Sequence, residues 1–121
     1  MSVAGLTKRL NKSDALALWH RVMLGSVRGD NPDLTARQFV ILTTIYLVDG
    51  QHTVRSLAQQ LSVTKAVVTR ALDTLGRHGF VQRCPDPRDK RSIVIQRTAR
   101  GASYLRAFGD TICSDPALVA A

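Results

Sequence analysis

The positions of apolar and polar residues divide this chain of 121 residues into four helical segments, one alternating segment and a last helix. The first helix is predicted over 13–28, with Ser13 as N-cap and Asp14 in the first turn. Apolar residues cover well over half of its circumference, which is more than one packing face needs. They are Ala15, Leu16, Leu18, Trp19, Val22, Met23 and Val27.

The second helical pattern is almost entirely apolar. Thr35 and Gln38 have the spacing of a capping box, so this helix is predicted to begin there. The sequence FVILTTIYLV (39–48) leaves almost no polar side, and Asp49-Gly50 follows it as a stop signal. The segment is therefore predicted to be the central core helix.

Two further helices are separated by a very short turn. The segment VRSLAQQL (54–61) has one apolar stripe, and only Ser62 and Val63 precede Thr64, the predicted cap of a helix over 65–78. This spacing is typical of a helix-turn-helix, here spanning 54–78. The helix over 65–78 is therefore a candidate recognition helix.

The side of the candidate recognition helix opposite its apolar arc suits DNA. Short side chains at Ala66 and Thr69 allow close approach to base edges, and Arg70 can reach a guanine or a phosphate. The positive N-terminus at Thr64 and Lys65 faces the phosphate backbone. This helix has no Glu, whereas an ordinary solvated face is often rich in Glu–Lys pairs. The candidate DNA-contacting residues are Thr64, Lys65, Ala66, Thr69, Arg70, Asp73 and Arg77.

After Gly79 the period changes from 3.6 to about two. The stretches FVQRC (80–84) and SIVIQRT (92–98) predict a hairpin, a wing over 80–98 with DPRDKR at its tip. A final helix is predicted over 99–113, and the residues from Ser114 onward are expected to form a frayed tail. The predicted fold is mainly α with a small β-hairpin, a winged helix-turn-helix in a single domain over 1–121.

The charge favours a polyanionic partner. The net charge is +8, and 13 of the 17 basic residues are Arg, whose planar donors suit phosphates and base edges. Nucleic acid is the leading candidate, because a membrane surface would need a basic amphipathic helix with a clean apolar face. We therefore expect DNA and no membrane as the partner.

Other classes of function lack their signatures. Cys84 and Cys113 form no C-x-x-C pair, and structural or incidental thiols are favoured over redox sensing. No His or Cys has metal-ligand spacing, and no paired carboxylates, nucleophile–base set or glycine-rich phosphate loop occurs. No enzyme, metal or cofactor is expected. The longest apolar run has ten residues and the N-terminus has no signal-peptide region, which predicts a cytoplasmic protein. As a DNA-binding protein, it is expected to be nucleoid-associated.

Four segments together resemble the MarR (multiple antibiotic resistance regulator) family of bacterial transcription regulators. They are LTARQFVIL (34–42), VTRALDTLGRHGFVQR (68–83), DPRDKRS (86–92) and RTARGASYL (97–105). The resemblance implies a homodimer on double-stranded DNA that reads a pseudo-palindrome, with recognition helices in major grooves and wings in minor grooves. It also implies a sequence-specific regulator, more often a repressor because most relatives act by occlusion.

The resemblance assigns roles to the wing. Asp89 and Arg91 match the family's D-x-R, whose Arg approaches the minor groove. We expect Arg91, assisted by Arg88, to read the minor groove, and Lys90 to contact a phosphate. Asp89 or Asp86 would orient the guanidinium group before it inserts.

Several alternatives remain open at this point. Asp73 is equally well explained by a pair with Arg77 at i, i+4, and Arg83 by a phosphate contact or by a plain exposed strand position. Arg55 and Ser56 are further candidate phosphate contacts.

The function and the assembly also have alternatives, namely a non-specific architectural DNA-binding factor and a winged helix that binds protein. The terminal helices are shorter than the family's. We therefore expect either a dimer built on the first helix or a monomer that needs a partner. Control by a small-molecule effector stays open, although so little apolar enclosure argues against a pocket.

Overall fold

The computed structural model describes residues 10–119, and its elements follow the predicted order. They are α1 (Lys12–Arg28), α2 (Ala36–Leu47), α3 (Val54–Leu61), α4 (Lys65–Arg77), β1 (Val81–Asp86), β2 (Asp89–Arg97) and α5 (Ala99–Cys113). The fold class predicted from the sequence is confirmed. These residues form two compact units, a central unit over 34–105 and a terminal unit over 10–33 with 106–119. The single domain over 1–121 stays a prediction.

The core of the central unit draws on each of its helices and on the base of the hairpin. Full burial of one such aliphatic side chain contributes about 1.5–3 kcal/mol relative to its exposure. The buried apolar residues are Leu34, Ile41, Leu42, Ile45, Leu57, Ala58, Val68, Ala71, Leu72, Leu75, Phe80, Val81, Val94, Ile95 and Tyr104. Helix α2 supplies three of them, as predicted, but Leu47 at its end is 78% exposed. Its apolar sequence therefore overstates its burial.

The helix-turn-helix is built by caps. Thr53 and Ser56 form a capping box at the start of α3, and Ser62 at its end adopts the left-handed conformation with φ 56°. Thr64 accepts a hydrogen bond from the backbone N–H of Val67 at 3.2 Å, which confirms the predicted cap of α4. Positive φ at a non-glycine residue is uncommon, and here it lets the chain reverse within a three-residue turn.

The two strands of the hairpin reach further towards its tip than the sequence predicts, so the tip is shorter. Strands β1 and β2 pair antiparallel with Val81 opposite Arg97 and Asp86 opposite Asp89, so only Pro87 and Arg88 form the turn. The prediction that all of DPRDKR forms the tip is wrong. Charged side chains obscured the strand period, because an exposed hairpin end pairs through its backbone and needs no apolar face.

A hydrogen-bonded junction joins α2, the base of the hairpin and α5. The Tyr46 hydroxyl donates to the carbonyl oxygen of Phe80 at 2.7 Å and accepts from the N–H of Thr98 at 2.8 Å. The Thr98 hydroxyl donates to the carbonyl oxygen of Gly79 at 2.7 Å and accepts from the N–H of Gly101 at 3.0 Å. A Cβ at Gly101 would overlap the Tyr46 hydroxyl. This junction explains the T-x-x-G sequence after the wing.

The terminal unit corrects two expectations. Asn11, and not Ser13, caps α1, and its side chain accepts from the N–H of Asp14 at 2.8 Å. Both residue types are good caps, so sequence alone did not decide between them. The residues after Ser114 are not a frayed tail within the described part. Asp115 is buried and accepts two hydrogen bonds from the guanidinium group of Arg21, at 2.7 and 2.9 Å.

None of the helices between residues 10 and 119 is long and apolar enough to cross a membrane.

Candidate nucleic-acid interface

One face of α4 is left free in the central unit, as the sequence predicts. Val68, Leu72 and Leu75 are buried on the other face, whereas Thr69 and Arg70 are exposed. All seven residues named for this face from the sequence are exposed. Helix α4 therefore presents the predicted side chains to solvent.

Two arginines on this face differ in the hydrogen bonds of their guanidinium groups. Arg70 makes one long contact, from its Nε to the carbonyl oxygen of Ala66 at 3.4 Å. Arg77 donates from its Nη2 to the hydroxyl of Thr74 at 3.1 Å. Arg77 therefore does not pair with Asp73, and that alternative for Asp73 is wrong.

Asp73 pairs with Arg83 of the wing. The Nη2 of Arg83 donates to a carboxylate oxygen of Asp73 at 2.8 Å and to the carbonyl oxygen of Thr69 at 3.1 Å. Both side chains stay partly exposed, so the ion pair is worth about 0–1 kcal/mol. Its consequence is positional, because it anchors β1 to α4 beside Thr69. Arg83 is thus more than a plain exposed strand residue.

The aspartates of the wing hold its backbone. Asp86 accepts from the backbone N–H of Arg88 at 2.9 Å, and Asp89 accepts from the backbone N–H of Arg91 at 3.1 Å. The Ser92 hydroxyl donates to the second carboxylate oxygen of Asp89 at 3.2 Å. The expectation that a carboxylate orients a guanidinium group is wrong, since short Asp side chains reach the nearest N–H first.

The cationic side chains near the tip of the wing differ from Arg83, because they have no partner among residues 10–119. Those of Arg88, Lys90 and Arg91 are exposed and make no hydrogen bond or ion pair with any of residues 10–119. A backbone held by Asp86 and Asp89 therefore carries three cations, at and beside the turn, that are unpaired within residues 10–119.

The candidate phosphate contacts in α3 differ from each other. Arg55 is exposed, in agreement with its proposed role. The Ser56 hydroxyl accepts from the N–H of Thr53 at 2.9 Å and donates to the carbonyl oxygen of Thr53 at 3.1 Å. A phosphate contact by Ser56 would break that second bond, so its role as a cap accounts for it better.

Charge is concentrated in the central unit. Residues 34–105 contain eleven basic and four acidic residues, a net charge of +7, and the remaining residues carry +1. No group of three His, Cys, Asp or Glu side chains that could hold a metal ion occurs within residues 10–119. The unit that carries α4 and the wing is therefore the polycationic part of the chain.

A groove of about 860 Å³ lies in the central unit, lined by parts of α2, of α4 and of the end of α3. Arg37 of α2 lines it together with Arg70 of α4. The sequence interpretation missed Arg37, because one cation in a helix has no periodic signal. Its place in the first turn, where acidic residues are favoured, was the available clue.

The sequence model of the MarR family matches residues 34–93 of this chain. The matched range begins just before α2 and reaches into β2, and it contains the whole helix-turn-helix. This chain belongs to the MarR family.

Individual MarR-family proteins match over a similar range. The multiple antibiotic resistance protein MarR of Salmonella typhimurium is 39% identical over 71 residues, which are 59% of this chain and 49% of MarR. The HTH-type transcriptional repressor YetL of Bacillus subtilis is 38% identical over 76 residues, 62% of this chain and 46% of YetL. This chain therefore spans about half the length of the curated relatives it matches.

A solved structure of MarR is similar in fold over a larger part of this chain. A mutant MarR of Escherichia coli complexed with operator DNA superposes with a TM-score of 0.65 at 28% identity, over 83% of this chain and 69% of that one. Its coverage exceeds that of the sequence matches, because the fold is kept where the sequences have diverged.

Proposed function

We propose that this chain is a sequence-specific regulator of transcription, of the repressor type and not an enzyme, that binds double-stranded DNA. One observation carries the proposal: Arg83 fastens the wing to α4 beside Thr69, so free cations of the wing and the exposed face of α4 belong to one positively charged surface. The names of the relatives support it, since YetL is called a repressor and the E. coli MarR mutant was complexed with operator DNA.

In this proposal α4 enters the major groove. Thr69 and Ala66 let the helix approach the base edges, and Arg70 makes the specific contact, as its nearly free guanidinium group allows. Thr64 and Lys65 at the N-terminus of α4 approach the phosphate backbone.

The wing enters the adjacent minor groove. Arg91 and Arg88 gain most where the groove is narrow and strongly negative, over A·T-rich DNA. Lys90 and Arg55 contact phosphates, which adds affinity without sequence information. Asp73 and Arg83 hold the two reading elements together and are already paired with each other.

We also propose that a second copy of the chain covers α1. Leu16, Trp19 and Val27 of α1 are 69%, 53% and 58% exposed, and at 100° per residue they lie within one arc. An exposed apolar stripe of this kind marks an interaction surface. A homodimer built on it would present two copies of α4 to successive major grooves, with half-sites about 10–10.5 bp apart. Association with the nucleoid follows from DNA binding.

Selection of bound duplexes from a random pool tests the proposal. A specific dimer enriches a two-fold repeat, which is then bound roughly 10³-fold or more tightly than random DNA at the same salt concentration. Equal affinity for selected and random DNA, with the same steep salt dependence, would identify an architectural factor instead. Absence of any duplex binding would favour a winged helix that recognises protein.

A further inference from the structure

Arg37 stands in an unfavourable position in α2. It follows the N-cap Thr35 by two residues, and the first turn of α2 contains no acidic residue. The helix dipole makes this turn positive, so a carboxylate is favoured there and a cation is not. The first turns of α3 and α4 have the same composition, with Arg55 and Lys65 and no acidic residue, and both of these cations are proposed phosphate contacts. A cation that the helix does not stabilise therefore needs another explanation.

Nothing within the described residues neutralises Arg37. Its side chain is exposed and makes no hydrogen bond or ion pair with residues 10–119. The capping box uses the N–H of Gln38 and the N–H of Thr35. The N–H groups of Ala36 and Arg37 are left among the donors that a helix N-terminus cannot satisfy internally. A guanidinium group and two backbone donors thus occupy one helix end.

A second cation, from a different element, shares the groove with Arg37. Arg70 of α4 lines the same groove, whose lining contains no acidic residue. The apolar part of the lining comes from Ala36, Val40, Leu61, Val63, Val67 and Ala71. A bare phosphate is poorly solvated by apolar groups, so it would lie at the rim, beside the arginines.

We propose that Arg37 is a further DNA contact, which binds a backbone phosphate of the duplex whose bases Arg70 reads. The inference rests on the function proposed above and extends the contact surface from α4 and the wing to α2. In helix-turn-helix proteins, elements next to the recognition helix contact the phosphate backbone beside the major groove. Since α2 packs against α4, its N-terminal turn is the part that would reach that strand.

Salt dependence measures the contact directly. One phosphate contact contributes about −0.9 to the slope of log K against log salt. Both copies of the dimer would make this contact, so Arg37→Gln is expected to lower the steepness of that slope by about 1.8, and to weaken binding roughly sixtyfold at 0.1 M salt if counterion release is its whole effect. The loss should be equal on selected and random duplexes, because a phosphate carries no sequence. Arg37→Lys should restore most of the slope.

Arg106→Gln serves as the control, since Arg106 is an exposed arginine of α5 outside the groove. It removes the same charge and should leave the slope unchanged. If Arg37→Gln and Arg106→Gln change the slope equally, only overall charge matters and the inference fails.

Neutralising one phosphate at a time identifies the partner. The selected operator is scanned with methylphosphonate substitutions, which remove the charge of one phosphate at a time. At one position per half-site, the substitution should weaken binding by the parent but not binding by Arg37→Gln. If every substitution that weakens binding by the parent also weakens binding by the variant, Arg37 makes no local contact and the inference is overturned.

The variant Arg70→Ala separates the failure of this inference from the failure of the proposed function. If Arg70→Ala binds the operator like the parent, or if the parent binds no duplex, the proposed function fails. If only Arg37→Gln binds like the parent, the inference about Arg37 fails and the proposed function stands.

Discussion

The guanidinium group of Arg83, in the first strand of the wing, is bonded at 2.8 Å to the carboxylate of Asp73 on the exposed face of α4. The same nitrogen also donates a hydrogen bond to the carbonyl oxygen of Thr69, so two hydrogen bonds attach the wing to α4. The two elements proposed to read different grooves are thereby held in one orientation.

Breaking this attachment should cost little stability and much DNA affinity. Arg83→Met and Asp73→Asn are each expected to lower the free energy of unfolding by about 0–1 kcal/mol, as for other surface pairs. Operator affinity should fall further than stability does, because the wing must then be ordered during binding. Urea unfolding and operator titration of both variants check this, with Arg106→Met, at an exposed arginine of α5, as the control for loss of one positive charge. Unchanged operator affinity in both variants would show that the attachment is irrelevant to binding.

The role of Asp89 can be separated from its charge. Asp89→Asn keeps an oxygen that can accept from the N–H of Arg91, whereas Asp89→Ala does not. The asparagine variant should bind DNA at least as tightly as the parent, since it also removes a negative charge. The alanine variant should bind more weakly, and fluorescence anisotropy with the operator compares them. Equal losses in both variants would mean that the carboxylate charge acts on the guanidinium group after all.

Two glycines of α5 should respond in opposite ways to alanine. Gly101→Ala places a methyl group against the Tyr46 hydroxyl and the carbonyl oxygen of Phe80, so it should be strongly destabilising. Gly109→Ala meets nothing within 4 Å and should stabilise the helix by about 0.5–1 kcal/mol. Tyr46→Phe leaves buried backbone groups unpaired and should cost about 1–3 kcal/mol. Chemical denaturation of the three variants measures these differences, and tolerance of Gly101→Ala would contradict the junction.

Acid should weaken the attachment of the C-terminal segment. The hydrogen bonds from Arg21, followed by one from the backbone N–H of Ala117, lower the pKa of the Asp115 carboxyl below its ordinary value. A carboxyl group with a lowered folded-state pKa stabilises the fold above its unfolded pKa of about 3.9, and this stabilisation is lost as the pH falls through the folded pKa. NMR titration of the carboxyl carbon should show the low pKa in the parent and a higher pKa in Arg21→Met. An unchanged pKa in that variant would refute the assigned cause.

The order of the elements could be predicted from the sequence because their signals are local. Thr35 with Gln38, Thr64 and the change of period after Gly79 act within a few residues, and each is found where predicted. The partners of side chains were harder to predict. Asp73 pairs with Arg83, ten positions away in sequence, and not with Arg77 at helical spacing, because the hairpin brings Arg83 to the same face of α4.

The wing shows a second limit of sequence reasoning. Charge pattern predicted that aspartates and arginines interact, but not that the contact would be with backbone N–H groups. Arg37 is recognisable as a candidate contact only from the structure, in which it lines the same groove as Arg70. Contacts that depend on where two elements meet in space produce no periodic pattern of residues along the sequence.

The affinity of Arg70→Ala and Arg91→Ala for the selected operator, measured at one salt concentration beside the parent, tests the central claim most directly. Loss of Arg70 should cost about 1–3 kcal/mol of binding free energy per half-site and relax the preference at one base pair in each. Loss of Arg91 should weaken binding most where the flanking minor groove is A·T-rich. If both variants bind the operator as tightly as the parent, α4 and the wing do not form the DNA-reading surface.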